Sequence, residues 1–302
     1  MYDVIIVGAG PAGLTASIYS RRADKKTLVL EALSYGGQIV NTLDIENYPV
    51  EAHISGYDFA TKLYEQAKSL DVEILFEKVV EIKNNDDYKE VVTTKNNYKT
   101  KTVILATGAE NRHLGIDLED ELVGKGISYC ATCDGNFYKG MDVAIVGGGN
   151  TAIDEALFLS NIANSVYLIH RRNEFRADVS LVDKLKKKEN IKFILNSNIT
   201  KLNATEKLES IEVTNKNGEV KAIDVSALFV AIGRVPENES FKNLIKLDES
   251  GYIIAKEDCH TNIDGIFVAG DSRTKEVRQL VTATSDGAIA ALEAVKYINN
   301  TK

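Results

Sequence analysis

Two of the three cysteines in this chain, Cys130 and Cys133, stand two residues apart, and an acid, Asp134, follows them directly. A Cys-x-x-Cys spacing tends to lower the pKa of one thiol, and the thiolate is the reactive form in disulfide exchange. A neighbouring carboxylic acid can move a proton during that exchange. The spacing therefore predicts a redox-active cysteine pair, with Asp134 placed to handle its protons.

A cysteine pair has two other common roles, as a structural disulfide and as part of a zinc site. A structural disulfide is disfavoured because the chain shows no secretory signal, and reducing compartments do not maintain such bonds. A zinc site needs about four ligands, and the other candidates, Cys259 and four histidines, are not paired at ligand spacing. The pattern favours a redox pair over a metal site or inert thiols, and no metal is predicted. Cys259 has no motif around it and is expected to be structural.

The composition narrows the class of protein. A chain of 302 residues with 44% apolar residues can form about two packed domains. Its net charge of −8 argues against binding to nucleic acid. No apolar run approaches the ~20 residues of a membrane span. The chain starts without a basic or cleavable segment, so we expect a cytoplasmic protein.

The elements that flank the cysteines indicate nucleotide binding. The apolar run Val4–Val7 predicts a buried strand, Gly8-x-Gly10-x-x-Gly13 a tight turn, and the following residues a helix. In that setting the glycines let the backbone approach a pyrophosphate at the helix N-terminus. The next strand ends in Glu31, where an acid usually holds a ribose hydroxyl.

The same pattern is repeated later in the chain. A strand over Val143–Val146 leads into Gly147-x-Gly149-x-x-Ala152, a helix and a second strand over Val166–Ile169. The run Ala227–Gly233 then corresponds to the strand over Ile104–Gly108 in the first copy. The chain therefore carries two dinucleotide-binding units, the second inserted within the first.

Alternating apolar and polar residues over 78–99 and again over 191–224 predict a small antiparallel β-meander in each unit. The segment from about Phe241 onward has no glycine motif, and it is expected to complete the first unit with a final helix from about Val281. The predicted fold class is α/β, with two Rossmann-like three-layer dinucleotide-binding domains. The predicted boundaries are 1–112 plus 241–302 for the first domain, and 113–240 for the second.

The two copies differ at the position that distinguishes a ribose 2′-hydroxyl from a 2′-phosphate. Glu31 lies 23 residues after Gly8, and the residue 23 positions after Gly147 is His170. Basic residues follow at Arg171, Arg172 and Arg176. An acid binds a free ribose 2′-hydroxyl and repels a phosphate, whereas arginine accommodates a 2′-phosphate. Unless the basic run is only a solvated turn, the first copy binds a nucleotide without a 2′-phosphate, FAD by preference, and the second binds NADPH.

Over essentially its whole length the chain resembles the low-molecular-weight thioredoxin reductases. The residues that carry the resemblance are Gly8 to Gly13, Gly36-Gly37-Gln38, Glu46-Asn47, Cys130 to Gly135, Gly147 to Ala152, His170-Arg171-Arg172 with Arg176, and Gly270-Asp271 with Arg278-Gln279. The Cys-Ala-Thr-Cys segment ahead of the second glycine loop is highly specific to that family. Disulfide reductases similar to glutathione reductase carry their cysteines in the first domain and add a dimerisation domain.

The resemblance implies a homodimer that passes hydride from NADPH to FAD and then electrons to the disulfide, whose dithiol form reduces thioredoxin. It implies that Cys133 faces the flavin, that Cys130 attacks the partner, and that Asp134 is the acid/base. The implied FAD-binding residues are Gly8, Gly10, Pro11, Ala12, Gly13, Glu31, Gly37, Gln38, Asn47, Thr107, Gly108, Gly270, Asp271, Arg278, Gln279 and Leu280. The implied NADPH-binding residues are Gly147, Gly149, Asn150, Thr151, His170, Arg171, Arg172, Arg176, Ile232 and Gly233.

Two positions depart from the family pattern: Leu280 replaces a small alanine, and 116–119 replaces a proline-containing turn.

Other interpretations remain. A reductase that serves a peroxiredoxin or a glutaredoxin-like partner normally carries an N-terminal extension, and a ferredoxin–NADP reductase lacks the cysteine pair. A ferredoxin-fed disulfide reductase would lack the basic residues, and a non-catalytic nucleotide sensor would not need Cys130 and Cys133.

Overall fold

A computed structural model describes residues 1–42 and 44–301 of the chain. The strands are β1 (Tyr2–Val7), β2 (Thr27–Glu31), β3 (Glu73–Phe76), β4 (Val79–Asn84), β5 (Lys89–Thr93), β6 (Asn97–Leu105), β7 (Ala109–Asn111), β8 (Ile127–Ser128), β9 (Asp142–Gly147), β10 (Ser165–His170), β11 (Ile191–Leu195), β12 (Ser197–Ala204), β13 (Leu208–Asn215), β14 (Val220–Asp224), β15 (Ala227–Ala231), β16 (Arg234–Pro236) and β17 (Ile266–Val268). The α-helices are α1 (Pro11–Arg22), α2 (Gly56–Ser69), α3 (Ala131–Asp134), α4 (Asn150–Ser160), α5 (Val179–Lys186) and α6 (Leu280–Asn300). The predicted α/β class with two Rossmann-like units is confirmed.

The chain divides into two compact units. The first comprises Met1–Glu110 and Val235–Lys302, and the second comprises Asn111–Arg234. The first crossing lies two residues before the predicted boundary at 112/113, and the second lies six residues before the one at 240/241. Both crossings fall within the short strands β7 and β16, which pair with each other.

The first unit is built on one mixed sheet. Strands β3, β2, β1, β6 and β17 are parallel neighbours in that order. The expected meander is present, but it is not a separate sheet. Strands β4 and β5 add in antiparallel fashion to the first half of β6, which is long enough to serve both parts. Apolar clusters cover both faces of the parallel part, as its continuous apolar runs predict.

The second unit has a parallel sheet in the order β11, β10, β9, β15 and β8, and a separate antiparallel sheet of β12, β13 and β14. The alternating region predicted from Ile191 therefore contains two different structures. Strand β11 pairs in parallel with β10 and belongs to the nucleotide-binding sheet. The meander itself begins only at Ser197.

The last segment completes the first unit, as expected. Strand β17 pairs in parallel with β6, and α6 packs along α1. The two helices approach closely where a side chain on Gly287 would collide with the carbonyl oxygen of Ala12. This contact holds α6 against the helix that follows the first glycine loop. None of the helices in the described part of the chain is long and apolar enough to cross a membrane.

Candidate functional site

The first glycine loop has the geometry of a phosphate site. Gly8 has φ +106°, and a side chain there would collide with the carbonyl oxygen of Ala106, so only glycine fits. A side chain at Gly13 would collide with the carbonyl oxygen of Gly8. Gly10 caps α1, whose first helical residue is Pro11; no side chain caps the helix and no acid lies in its first turn. The N-terminal amides and dipole of α1 therefore suit an anionic pyrophosphate.

The second glycine loop repeats this arrangement. Gly149 caps α4, again without a capping side chain or an acid in the first turn. A side chain at Gly147 would meet Ala152 and the carbonyl oxygen of Ala231, while the space beside Gly149 is open. The loop is braced by Asn150, whose Oδ1 accepts from the amide of Asp178 at 2.8 Å. Both helices thus begin at a glycine without a capping side chain, and the binding of a phosphate at each start stays a prediction.

Glu31 and His170, which lie at the same distance after the first and second glycine loops, end corresponding strands of the two units. Glu31 is the last residue of β2, and His170 is the last residue of β10. One carboxylate oxygen of Glu31 accepts from the amide of Ala9 at 2.7 Å, and the other accepts from the amide of Leu33 at 3.0 Å. The carboxylate is therefore oriented by the glycine loop itself, and each oxygen keeps a second lone pair for a ribose hydroxyl.

His170 is placed differently from its basic neighbours. Its ring is buried against Gly148, where even a methyl side chain would collide with it. Nε2 lies 3.1 Å from the carbonyl oxygen of Glu174, and the ring stacks on Phe175. Burial lowers the pKa of His170, and the charges of Arg171 and Arg172 act in the same direction. This placement favours support of the glycine loop by a neutral ring; a direct contact with the 2′-phosphate stays a prediction.

The three arginines after β10 are exposed. The amide of Arg176 donates to the carbonyl oxygen of Gly148 at 2.7 Å, which fixes this segment beside the second glycine loop. Within the described part of the chain, the guanidinium groups of Arg171, Arg172 and Arg176 make no hydrogen bond or ion pair. They remain available for a phosphate group.

Several other residues implied to bind FAD lie around the first loop. The backbone of Gly37 approaches that of Gly10, and Gln38 follows in an exposed 3₁₀ turn over Gly37–Asn41. Asn47 Nδ2 donates to Gln279 Oε1 at 3.3 Å. Leu280 begins α6, whose N-terminus is closed by a reciprocal capping pair of Gln279 and Thr282.

A further set of the residues implied to bind FAD lies at the ends of β6 and β17. Thr107 Oγ1 donates to Asn238 Oδ1 at 2.9 Å, and the space beside Gly108 is open. Gly270 has φ +81° and sits against Ala12 in the turn that carries Asp271. The Arg278 guanidinium donates to the carbonyl oxygen of Arg273 at 3.1 Å and lies over the ring of Tyr252. In the second unit, Ile232 and Gly233 follow β15, and Thr151 lies exposed in the first turn of α4.

The predicted cysteine pair is joined. Cys130 and Cys133 form a disulfide, with their Cα atoms 5.3 Å apart. The bond closes across the short helix α3, which packs on α4. The residue after α3, Gly135, packs closely against α4. A side chain added at Gly135 would lie only 3.0 Å from Phe158 and 3.2 Å from Leu159. The redox pair is therefore held on the helix that begins at the second glycine loop.

Asp134 lies in the same turn and is half-buried. Its Oδ2 accepts a hydrogen bond of 2.6 Å from Ser128 Oγ, and the same hydroxyl accepts from the amide of Cys130 at 3.1 Å. Burial raises the pKa of the Asp134 carboxyl, while the bond from Ser128 acts against that rise. A raised pKa suits a group that must hold a proton near neutral pH. Burial, and after it the charge of the Asp134 carboxyl, raises the pKa of the Tyr138 phenol.

Sequence reasoning missed two residues beside the disulfide. Ser128 carries no motif, and only its position two residues before Cys130 could have pointed to it. Glu155 lies inside α4; its Oε2 atom is buried without a hydrogen-bond partner among the described residues, and burial raises the pKa of the carboxyl to about 7. Its only signal is an acid placed among the apolar residues of an otherwise buried helix face. Cys259, in contrast, belongs to the first unit and is fully buried, as expected of a structural thiol, and burial raises its pKa to about 12.

Comparison with known proteins agrees with this site. Residues 2–287 match the pyridine nucleotide-disulphide oxidoreductase family. A thioredoxin reductase of Listeria innocua is 41% identical over 304 residues, which cover 100% of this chain and 95% of that protein. One of Mycoplasma genitalium is 43% identical over 296 residues, covering 97% and 94% of the two chains. The crystal structure of thioredoxin reductase from Streptococcus pyogenes matches with a TM-score of 0.94 at 39% identity, covering 99% of each chain.

Proposed function

The chain belongs to the pyridine nucleotide-disulphide oxidoreductase family, and from that premise we propose that it is an NADPH-dependent thioredoxin-disulfide reductase containing FAD. The observation that carries the proposal is the Cys130–Cys133 disulfide, which packs on the helix of the second glycine loop with a half-buried acid, Asp134, beside it. A ferredoxin–NADP reductase or a nucleotide sensor needs no such pair. A ferredoxin-fed reductase does not account for the exposed arginines beside the second loop.

The residues present fit both cofactors. In the first unit, the glycine loop and the amides at the start of α1 would hold the FAD pyrophosphate, and Glu31 would bind the ribose. In the second unit, the start of α4 would hold the NADPH pyrophosphate, and Arg171, Arg172 and Arg176 would bind the 2′-phosphate. When bound, the two cofactors supply the electron pair that reduces the disulfide.

The chain's own residues then carry the sulfur chemistry. Reduction of the Cys130–Cys133 bond takes up two electrons and two protons, and Asp134 is the acid placed to deliver a proton to a departing thiolate. In the second half-reaction, the Cys130 thiolate attacks the thioredoxin disulfide and forms a mixed disulfide while releasing one thioredoxin thiolate. Cys133 then attacks Cys130, which restores the enzyme disulfide and releases the second thioredoxin thiolate.

Ser128 positions two groups that take part in this chemistry. Its hydroxyl bridges the Asp134 carboxyl and the Cys130 amide, so it holds the acid beside the attacking cysteine in the disulfide form. By the same family resemblance we propose that the protein works as a homodimer in the cytoplasm. Sedimentation of the purified protein would test the dimer.

The proposed function is tested with a panel of acceptors. The purified protein should be yellow, release FAD rather than FMN on denaturation, and reduce oxidised thioredoxin with NADPH. A peroxiredoxin or glutaredoxin-like partner and ferredoxin, offered at the same concentration, should be reduced much more slowly. Colourless protein that cannot be reconstituted with FAD, or a faster reaction with any other acceptor, would contradict the proposal.

A further inference from the structure

A buried asparagine joins two segments that carry residues implied to bind FAD. Asn238 lies two residues after β16 and is fully buried. Its Oδ1 accepts from Thr107 Oγ1 at 2.9 Å, and its Nδ2 donates to the carbonyl oxygens of Gly251 at 3.0 Å and Ser272 at 2.9 Å. An asparagine in front of a helical turn commonly caps it with its own oxygen, but Asn238 does not cap the 3₁₀ turn that follows it. Its side chain is used inside the unit instead.

The two segments lie side by side. Strands β6 and β17 are parallel neighbours whose last residues pair in register. Thr107 and Ser272 follow these strands, so both lie at the carboxyl edge of the sheet, where open α/β sheets bind their ligands. Thr107 is only half-buried, and the space beside Gly108 is open. A cofactor at this edge of the sheet can therefore reach the Thr107 hydroxyl.

The partners of Asn238 decide the direction of its bond to Thr107. Carbonyl oxygens only accept hydrogen bonds, so the amide atom that faces the two carbonyls must be the Nδ2 donor. The atom that faces Thr107 is then Oδ1, which only accepts, so the single proton of the Thr107 hydroxyl is used in this bond. Among the residues that the structure describes, Thr107 Oγ1 makes no other hydrogen bond. It therefore offers only lone pairs to a further partner.

We propose that Asn238 is a positioning residue for FAD, which fixes the Thr107 hydroxyl as a hydrogen-bond acceptor for an N–H or O–H group of the cofactor. This inference rests on the proposed function, which requires FAD in the first unit. The bonds to Gly251 and Ser272 hold the amide in place, so the hydroxyl is oriented before the cofactor binds. A cofactor oxygen that only accepts is repelled by the same lone pairs, so the contact also selects what may lie there.

The test measures the release of FAD from the diluted holoenzyme, followed by the rise in flavin fluorescence. In Asn238→Ala the hydroxyl proton can turn toward the cofactor, and release should be roughly three- to tenfold faster, the effect of losing about one hydrogen bond. Thr107→Val removes the hydroxyl and should have an effect of similar size, whereas Thr107→Ser should behave as the wild type. The double variant Asn238→Ala/Thr107→Val should fall well short of the product of the two single effects, because Asn238 acts through Thr107.

Thr102→Val is the matched control. Thr102 is a fully buried threonine of β6 whose hydroxyl also makes a bond of 2.9 Å, to the carbonyl oxygen of Asp3. It lies within the strand rather than after its carboxyl end. This variant should lower the free energy of unfolding in urea but release FAD at the wild-type rate. If FAD release followed the loss of unfolding free energy in all these variants, Asn238 would have only a structural role and the inference would be overturned.

The outcomes also separate this inference from the proposed function. FAD release needs neither NADPH nor thioredoxin, so faster release in Asn238→Ala supports the role of Asn238 even if another protein is the true acceptor. Release at the wild-type rate, or an effect that multiplies fully with that of Thr107→Val, would overturn it. A wild type that cannot bind FAD would overturn the proposed function and this inference together.

A variant that does not fold leaves the decision to the wild type. The crystal structure of the wild-type holoenzyme should place an N–H or O–H group of FAD within hydrogen-bond distance of Thr107 Oγ1. A phosphate or carbonyl oxygen of FAD at that place, or no atom of FAD, would overturn the inference.

Discussion

Ser128 Oγ lies 2.6 Å from Asp134 Oδ2, and the same hydroxyl accepts from the amide of Cys130 at 3.1 Å. One buried side chain thus connects the acid to the cysteine that, by family resemblance, attacks the partner. The hydroxyl donates to the carboxylate, so it stabilises the ionised acid and opposes the effect of burial.

Removing that hydroxyl should make Asp134 a weaker acid. A hydrogen bond to a charged group contributes about 1.5–3 kcal/mol, and about 1.4 kcal/mol corresponds to one pH unit. In Ser128→Ala the alkaline limb of the thioredoxin-reduction profile should therefore rise by roughly one to two units. Ser197→Ala is a matched control, because Ser197 is a serine of the same unit with the same 4% exposure. An unchanged profile in Ser128→Ala would show that Asp134 does not titrate in this reaction.

The exposed arginines predict the coenzyme preference. If Arg171 and Arg172 hold the 2′-phosphate, losing both should weaken NADPH binding by roughly two to four decades, at about 1.5–3 kcal/mol for each charged hydrogen bond. NADH lacks the phosphate and should lose little. In Arg171→Glu/Arg172→Ala the new acid also repels the phosphate. Flavin reduction is measured with both coenzymes, and Arg22→Ala, an exposed arginine of the first unit, serves as the control.

The arginines would be only a solvated turn if the wild type preferred NADH. The same conclusion would follow if the double variant kept the wild-type ratio of flavin-reduction rates with NADPH and NADH. The FAD content of the double variant should equal that of the wild type, because Arg171 and Arg172 belong to the second unit.

The contact between Gly148 and His170 predicts a rescue. A methyl group at position 148 would collide with the His170 ring, so Gly148→Ala should displace either the ring or the loop and weaken NADPH binding. Replacing the ring as well removes the collision, and Gly148→Ala/His170→Ala should bind NADPH more tightly than Gly148→Ala. Binding is measured by titration of the oxidised protein with NADP+. A double variant weaker than both single variants would indicate that His170 contacts the phosphate directly.

The first unit contains a buried ionic cluster that should dominate its stability. Asp286 accepts from Arg273 Nε and from Lys275 Nζ, each at 2.8 Å, and the two cations are only 1% and 5% exposed. Asp286→Ala leaves both cations without this partner and should cost about 3–5 kcal/mol of unfolding free energy. Lys62→Ala, which breaks an exposed pair with Glu51, should cost less than about 1 kcal/mol. Urea unfolding at neutral pH measures both.

The pH dependence of this effect has a definite sign. Burial would raise the pKa of Asp286, but the bonds from Arg273 and Lys275 outweigh it and lower the pKa. The stabilisation is therefore complete above the unfolded value of about 4 and is lost as the pH falls below it. The gap between the wild type and Asp286→Asn should accordingly narrow in acid. A gap that is constant with pH would contradict an ionised Asp286.

Local patterns predicted much of the fold. The glycine spacings and apolar runs are short-range signals, and the offset from each glycine loop identified Glu31 and His170 as the ends of corresponding strands. Boundaries were less certain. The amphipathic pattern of Phe59 to Leu70 predicts a helix that begins at Phe59, but α2 begins at Gly56, because Ser55 Oγ accepts from the amide of Asp58 at 3.0 Å and caps the helix earlier.

Contacts between distant residues could not be predicted. The burial of His170 depends on the absence of a side chain at Gly148, whereas its place beside Arg171 and Arg172 in the sequence suggested a contact with the 2′-phosphate. Asn238 bonds to Thr107, which lies 131 residues earlier in the chain, and no spacing in the sequence encodes this contact. The motif therefore identified the reacting sulfurs, while the groups that position the site residues required the structure.

The central claim is that electrons reach thioredoxin through the Cys130–Cys133 pair. The most direct measurement follows NADPH oxidation and thiol formation together, with oxidised thioredoxin as the only acceptor. The wild type should form two thioredoxin thiols for each NADPH, since one disulfide takes up two electrons. Cys130→Ser and Cys133→Ser should form none, although NADPH should still reduce their flavin. A wild type that leaves thioredoxin oxidised, or either variant reducing it at the normal rate, would contradict the account.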